Sequence, residues 1–245
     1  NSGELLRLLR QPPGEQSDAD VEAEGRCLES LALTLASGED PAPGDADALR
    51  DVFRALLNDR VLANAYRLPP HAPGAAPPGC ALRVLQCARL LLRGRRFVDE
   101  LFAVDGAARA LADKYRAYAA LHFAATSHIP SPTASPSQSP SPAAHASDPV
   151  SDPASSADRA FHLEILSELA SVFKKLATDA ADARDAELLA SADVHRVAVS
   201  LLATSDASLL ASALVTLCAQ TEASETCAVE VAESGCVHRL LRGQL

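Results

Sequence analysis

The side chains that could do chemistry in this chain are few and scattered. Seven histidines and six cysteines are spread over 245 residues, and the cysteines (Cys27, Cys80, Cys87, Cys218, Cys227 and Cys236) form no Cys-x-x-Cys pair. The arrangement that stands out is Val194-His195-Arg196, which returns 43 residues later (195 to 238) as Val237-His238-Arg239. A metal or general-base site needs several ligands or partners brought to one point. A triplet that recurs with a structural unit marks equivalent packing or surface positions instead. Cys236 and His238 are two residues apart, so on a helix their side chains diverge. Asp45-Ala46-Asp47 opens an apolar periodic segment, where acids cap a helix and complement its positive end; this is the expected role, in preference to a metal site. No Gly-x-Ser-x-Gly, His-Glu-x-x-His, P-loop or Gly-x-Gly-x-x-Gly occurs. Nothing in the sequence assembles a nucleophile, a base and an oxyanion donor, so no catalytic, metal-binding or cofactor-binding residue is expected.

The elements that would position any site are helices. The chain is 48% hydrophobic, drawn from Leu, Ala and Val, with 4% aromatics and no Trp or Met; Ala and Leu are strong helix formers. Without Met, Asn1 is no initiator, and the chain is expected to be an excised fragment. Its net charge of −10 argues against nonspecific nucleic-acid binding, which needs Lys and Arg on phosphates. No apolar run approaches the roughly 18 residues that span a bilayer, and the cysteines, free and acting as small hydrophobes, suit a reducing, intracellular setting. The expected location is the cytoplasm, with the nucleus left open.

All 16 prolines fall at 12–13, 41–43, 69–78 and 130–153. A proline inside a helix costs about 3 kcal/mol, so the proline-free intervals are the predicted helices. After a short amphipathic piece at 3–10 come 17–37, with Val21, Leu28, Leu31 and Leu35 and a stop at Gly38, and 45–67, with Leu49, Phe53, Leu56, Leu57, Val61 and Leu62 on one face. The apolar segment 81–92 ends in Arg93-Gly94-Arg95-Arg96, where cations suit a helix C-terminus. Segment 97–104 follows, then 107–125, whose Leu111, Tyr115, Tyr118 and His122 share a face; Lys114 and Arg116 flank them as solvated neighbours of a core. Beyond the 128–157 stretch lie 158–177 (Phe161, Ile165, Leu169, Val172, Phe173 and Leu176), 185–190, 194–202 and 209–219, the last with Leu210, Ala213, Leu214 and Leu217 inward. Residues 128–157 hold four Ser-Pro dipeptides (Ser131, Ser135, Ser139 and Ser141) and no apolar periodicity, which predicts a disordered loop. The predicted division is therefore divergent N-terminal helical repeats over 1–127, the Ser/Pro-rich loop over 128–157, and C-terminal repeats, truncated, over 158–245.

A repeat runs beneath these elements. ASADVHRVAVSLL (190–202) parallels AESGCVHRLLRGQL (232–245), and LFAVDGAARALADKY (101–115) carries Gly106 where Gly235 stands. A period of 40–47 residues with two or three helices per unit, each unit hiding its apolar face against the next, is characteristic of armadillo and HEAT repeats. The glycine-containing steps Val104-Asp105-Gly106-Ala107 and Glu233-Ser234-Gly235-Cys236 carry the likeness. So do Leu31-Ala32-Leu33-Thr34-Leu35-Ala36, Val172-Phe173-Lys174-Lys175-Leu176-Ala177 and Ala213-Leu214-Val215-Thr216-Leu217-Cys218, which are similar to the family's third-helix pattern. The chain resembles the armadillo-repeat family, most closely over 158–245. That resemblance implies an all-α fold, an armadillo-like α–α superhelix (a right-handed solenoid of stacked helical repeats).

It further implies a concave groove along the third helices, where the family's Asn residues hold an extended peptide. Here those positions are Thr34, Lys175 and Thr216, with Arg89 equivalent in segment 81–92. Without an Asn ladder or tryptophans the groove does not suit a basic peptide; Arg89 and Lys175 favour an acidic or phosphorylated segment of a protein partner. The expected function is a non-enzymatic protein–protein interaction scaffold with Thr34, Arg89, Lys175 and Thr216 as partner contacts. The alternative is a structural or regulatory helical-repeat segment of a larger enzyme or a cytoskeletal or motor-associated assembly.

Overall fold

The structure, a computed structural model, describes residues 2–12, 15–37, 45–62, 78–127, 153–180 and 183–242. Every regular element among them is helical: α1 (Ser2–Leu9), α2 (Asp18–Ala36), α3 (Asp45–Ala55) running on as a π-helical segment (Leu56–Leu62), α4 (Pro78–Leu91), α5 (Arg95–Ala103), α6 (Ala107–Ser127), α7 (Pro153–Asp179), α8 (Ala183–Ser191), α9 (Val194–Leu201), α10 (Ala207–Ala223), α11 (Glu225–Glu233) and α12 (Cys236–Leu241). The all-α expectation holds. Gly38, the proline-rich stretch after Leu62 and the four Ser-Pro dipeptides lie outside the described residues. Several helices begin earlier than the periodicity predicts, α4 and α7 by the most. Both α4 and α7 start on a proline, Pro78 and Pro153, because the first helical position needs no N–H and suits proline's fixed φ. The loop boundary expected at 157 therefore moves back.

Four long helices pack in chain order, α2 on α4, α4 on α7 and α7 on α10. A second series, α1 with α3, the π segment with α6, and α6 with α9, lies alongside. Most of the buried apolar residues form one contiguous cluster from Leu5 to Cys236. At its centre α7 is covered by α4, α6 and α10, and Ile165, Leu166, Leu169, Val172, Phe173 and Leu176 on it are all buried. Phe173 stacks on Tyr115 of α6 with ring centroids 5.1 Å apart, and Phe53 meets Phe97 edge-on at 5.3 Å. The face Leu111, Tyr115, Tyr118 is buried as its spacing predicts.

Buried charge fixes the start of the fold. Arg60, within the π segment, is fully buried, and its guanidinium donates to both oxygens of Glu24 on α2, at 2.9 and 2.6 Å. The same group donates to the carbonyls of Leu8 (3.0 Å) and Leu9 (2.9 Å) at the end of α1. The last carbonyls of a helix lack the regular i+4 partner (that of Leu8 also accepts from the Gln11 N–H at 3.1 Å), and a cation is favourable at that negative end. Gln16 completes the network, donating to Glu24 (2.7 Å) and to the Leu8 carbonyl (3.1 Å). Arg109 and Arg116 of α6 repeat the device at the end of α8, donating to the carbonyls of Ser191 (2.7 Å) and Ala192 (3.3 Å).

Three described residues have positive φ: Gly106 (77°), Asp193 (58°) and Gly235 (67°). They stand at the same step, between α5 and α6, α8 and α9, and α11 and α12. The repeat seen in the residues is thus a repeat in the backbone, with Asp193 adopting the left-handed conformation that its short polar side chain tolerates. Nothing lies within 4 Å of a Cβ built on Gly235.

Two predictions follow from these contacts. Glu24→Ala leaves the Arg60 charge buried without its carboxylate and should lower stability by about 3 kcal/mol or more, with part of the loss recovered in Glu24→Ala/Arg60→Met; urea denaturation measures both. Because space around Gly235 is open, Gly235→Ala should cost about 1 kcal/mol through backbone strain alone and Gly235→Asn much less. Equal losses in the two variants would show that strain is not the cause.

Candidate functional site

The four residues expected to contact a partner fall on four successive long helices, Thr34 on α2, Arg89 on α4, Lys175 on α7 and Thr216 on α10. Their side chains are not equally available. Thr34 is exposed, and its hydroxyl donates to the Ser30 carbonyl at 2.9 Å. Arg89 donates to Glu168 and so ties α4 to α7, while Lys175 pairs with Asp179 one turn along at 2.6 Å. Thr216 has no exposed surface, and its hydroxyl donates to the Ser212 carbonyl at 2.8 Å. A buried hydroxyl already spent on its own helix touches no partner, so Thr216 is not a contact residue in this fold.

The reason is a rotation of the buried face of α10. Ala213 and Leu217 are buried and Leu210 half-buried, as the periodicity puts them. Leu214, also expected inside, is exposed, while Ser212, Thr216 and Gln220 are buried. This helix is rich in Ala, Leu and Val all round, so composition does not mark one face for the core. Ser212 and Thr216 fit inside because each small hydroxyl can be satisfied by the preceding turn.

Two clefts are lined by described residues with chemical potential. The first, of about 590 Å³, lies between α1, α2 and α3, with Leu5, Leu31, Leu35, Leu49 and Val52 as apolar lining and Thr34 among the polar residues. The second, of about 480 Å³, contains Arg50, Arg54 and Arg96 around Glu100. Burial alone would raise the Glu100 carboxyl, but bonds from Arg54 and from Arg50 (2.7 Å) overcome it and hold its pKa below the usual range. Arg96 lies over the Phe97 ring at 4.7 Å, and Arg95 pairs with Asp99 at 3.0 Å. Much of the basic patch that ends α4 is therefore answered by its own neighbours. Beside the tyrosines, Lys114 is buried and Arg116 pairs with Asp113 at 2.8 Å.

Sequence reasoning missed one constellation. His195 on α9 lies between Cys227 and Glu230 of α11: Nδ1 is 3.5 Å from the Cys227 sulfur and Nε2 is 2.6 Å from the Glu230 carboxylate. Arg196 donates to the same carboxylate at 3.0 Å. Thiol, imidazole and carboxylate in series are the parts of a nucleophilic relay. Yet Cys227 and His195 are both buried. A sulfur with no access to substrate cannot attack one, and the cluster acts as a clamp between α9 and α11. The helical spacing of Cys227 and Glu230 was a signal in the sequence, but only the packing of α11 on α9 brings His195 to it. Among the described residues no three His, Cys, Asp or Glu side chains converge to hold a metal ion. All six cysteines are free, and Cys218, unlike Cys87, Cys227 and Cys236, is exposed. No described helix is long and apolar enough to cross a membrane.

Neither known protein-family models nor curated protein sequences match this chain. The residues and their packing are therefore the basis for a functional reading.

The clamp has a pH signature. The hydrogen bond with Cys227, then that with Glu230, raises the His195 pKa above its ordinary 6.5 against the opposing effect of burial. A raised folded-state pKa means that the stabilisation is fully present below about pH 6.5 and is lost as pH rises through the folded value. Urea denaturation across that interval should show wild-type stability falling with pH more steeply than that of His195→Gln. Parallel pH profiles for the two proteins would refute the linkage.

Proposed function

We propose that this protein is a non-enzymatic interaction scaffold of armadillo-like superhelical form, binding a partner segment along the face built from α2, α4, α7 and α10. The observation that carries this reading is the consecutive packing of those four helices, each bearing one residue that the armadillo resemblance assigns to the groove. Units that cover one another in this manner leave a long continuous surface, which suits an extended partner.

Arg89, Lys175 and Thr34 are the contacts in this reading, and an acidic or phosphorylated segment is the partner. Arg89 and Lys175 are each about a third exposed in their ion pairs with Glu168 and Asp179. Pairs of that kind are worth about 0–1 kcal/mol. A phosphate or carboxylate on a partner can therefore take over either cation at little cost, with bidentate geometry available to the guanidinium. Burial of Cys227 and His195 supports a non-enzymatic role, and the free cysteines fit a cytoplasmic setting.

Fluorescence anisotropy with an acidic, phosphoserine-containing peptide tests the reading against a lysine-rich control. Binding should be saturable for the phosphopeptide and weakened about tenfold or more, that is by about 1.4 kcal/mol, in Arg89→Glu/Lys175→Glu with thermal stability retained. Equal binding of both peptides, or no effect of the double substitution, would reject this face.

A further inference from the structure

We propose that the outer flank of α10 docks a basic amphipathic helix from a partner protein, at a surface separate from the Arg89 and Lys175 contacts. Five large hydrophobic residues are exposed among the described residues, and four of them lie on the last three helices: Leu214 (36%) and Val215 (41%) on α10, Val229 (50%) on α11 and Val237 (48%) on α12. On α10 the exposed positions after the first turn include Ala211, Leu214, Val215 and Cys218, followed one turn on by Glu222. That is the i, i+3, i+4, i+7 pattern of a helix face made to be covered.

The spacing of small side chains argues for a helical occupant. Ala211, Val215 and Cys218 are small, so a second helix can approach to the ordinary interaxial distance of about 8–10 Å, with Leu214 as the knob. Charge selects the kind of helix. Between Arg196 and Arg239 the chain has no Lys or Arg, while it carries Asp206, Glu222, Glu225, Glu230 and Glu233. Glu230 is engaged by Arg196 and His195, whereas Glu222, Glu225 and Glu233 are exposed and make no ion pair among the described residues. An apolar stripe that ends in Glu222 on a strongly acidic segment complements an apolar stripe with Lys and Arg flanks. The same acids disfavour a second copy of this chain, which would oppose like charges, and disfavour nucleic acid and anionic lipid.

The test uses the full chain and two synthetic peptides of about 18 residues, long enough to form a helix. Both carry one Leu/Ala stripe; one has Lys and Arg flanks and the other Glu flanks. Anisotropy should show saturable binding of the basic peptide, about tenfold or more tighter than the acidic one and weaker at high salt. Leu214→Gln/Val215→Gln alters exposed side chains with a good helix former and should abolish binding while thermal stability is retained. Glu222→Lys/Glu225→Lys should reverse the peptide preference, and Arg89→Glu/Lys175→Glu should leave binding unchanged.

Failure of the basic peptide to saturate, or equal binding by Leu214→Gln/Val215→Gln, overturns the proposal. Loss of binding in Arg89→Glu/Lys175→Glu overturns it too, by placing the peptide on the other face. Sedimentation showing a wild-type dimer that Leu214→Gln/Val215→Gln dissociates would give this flank to a second copy instead.

Discussion

Helix α7 cannot hide its apolar surface alone, and the stack around it follows from that. Its buried positions include the adjacent pairs Ile165 and Leu166, Leu169 and Ala170, Val172 and Phe173, and Leu176 and Ala177, so they form a band too broad for one neighbour to cover. α4, α6 and α10 close over it from different directions. Each covering helix then has a further apolar side of its own, which α2, the π segment and α9 cover in turn. Dispersion and the removal of apolar area from water act at every step, at about 25 cal/mol per Å². No single contact decides the arrangement.

Electrostatics operate mainly at the joints of this stack. Arg60 closes the end of α1, Arg109 and Arg116 close the end of α8, and Arg89 with Glu168 bridges α4 and α7. Arg83 with Glu29 does the same between α4 and α2, at 2.9 Å. These joints differ in kind. The Arg60–Glu24 pair is desolvated, so its stabilisation depends on both charges staying matched and on the carbonyls that take the remaining N–H groups. The bridges between the long helices are partly solvated, so each contributes little to stability.

Residues with catalytic reputations serve as connectors here. His195, Cys227 and Glu230 lie in the order of a relay, yet their burial turns the same hydrogen bonds into a link between two short helices. The recurring His238, by contrast, is exposed on α12. Two equivalent positions in a repeat therefore have different environments among the described residues, His195 packed against α11 and His238 facing outward.

Much of the architecture was legible in the residues. The proline-free intervals marked the described helices, two of which open on Pro78 and Pro153. The apolar spacing of 161–176 marked the buried face of α7, and the recurring glycine step marked where the backbone turns left-handed. Those features depend on local geometry, which neighbouring residues determine. The candidate contacts were less legible: the armadillo likeness assigned one residue to each of four helices that pack in series, but said nothing of whether each side chain is available there. Thr216 and Leu214 exchanged faces because α10 is apolar on all sides, and only α7 packing against it selects which side is covered. Arg60 lay inside a predicted α-helix, and its role appeared only when a π-helical turn placed it against α1 and Glu24, residues tens of positions away. Periodicity in the chain determines which segments are helices; which face of each is buried, and which charge meets which, depends on neighbours that sequence distance conceals.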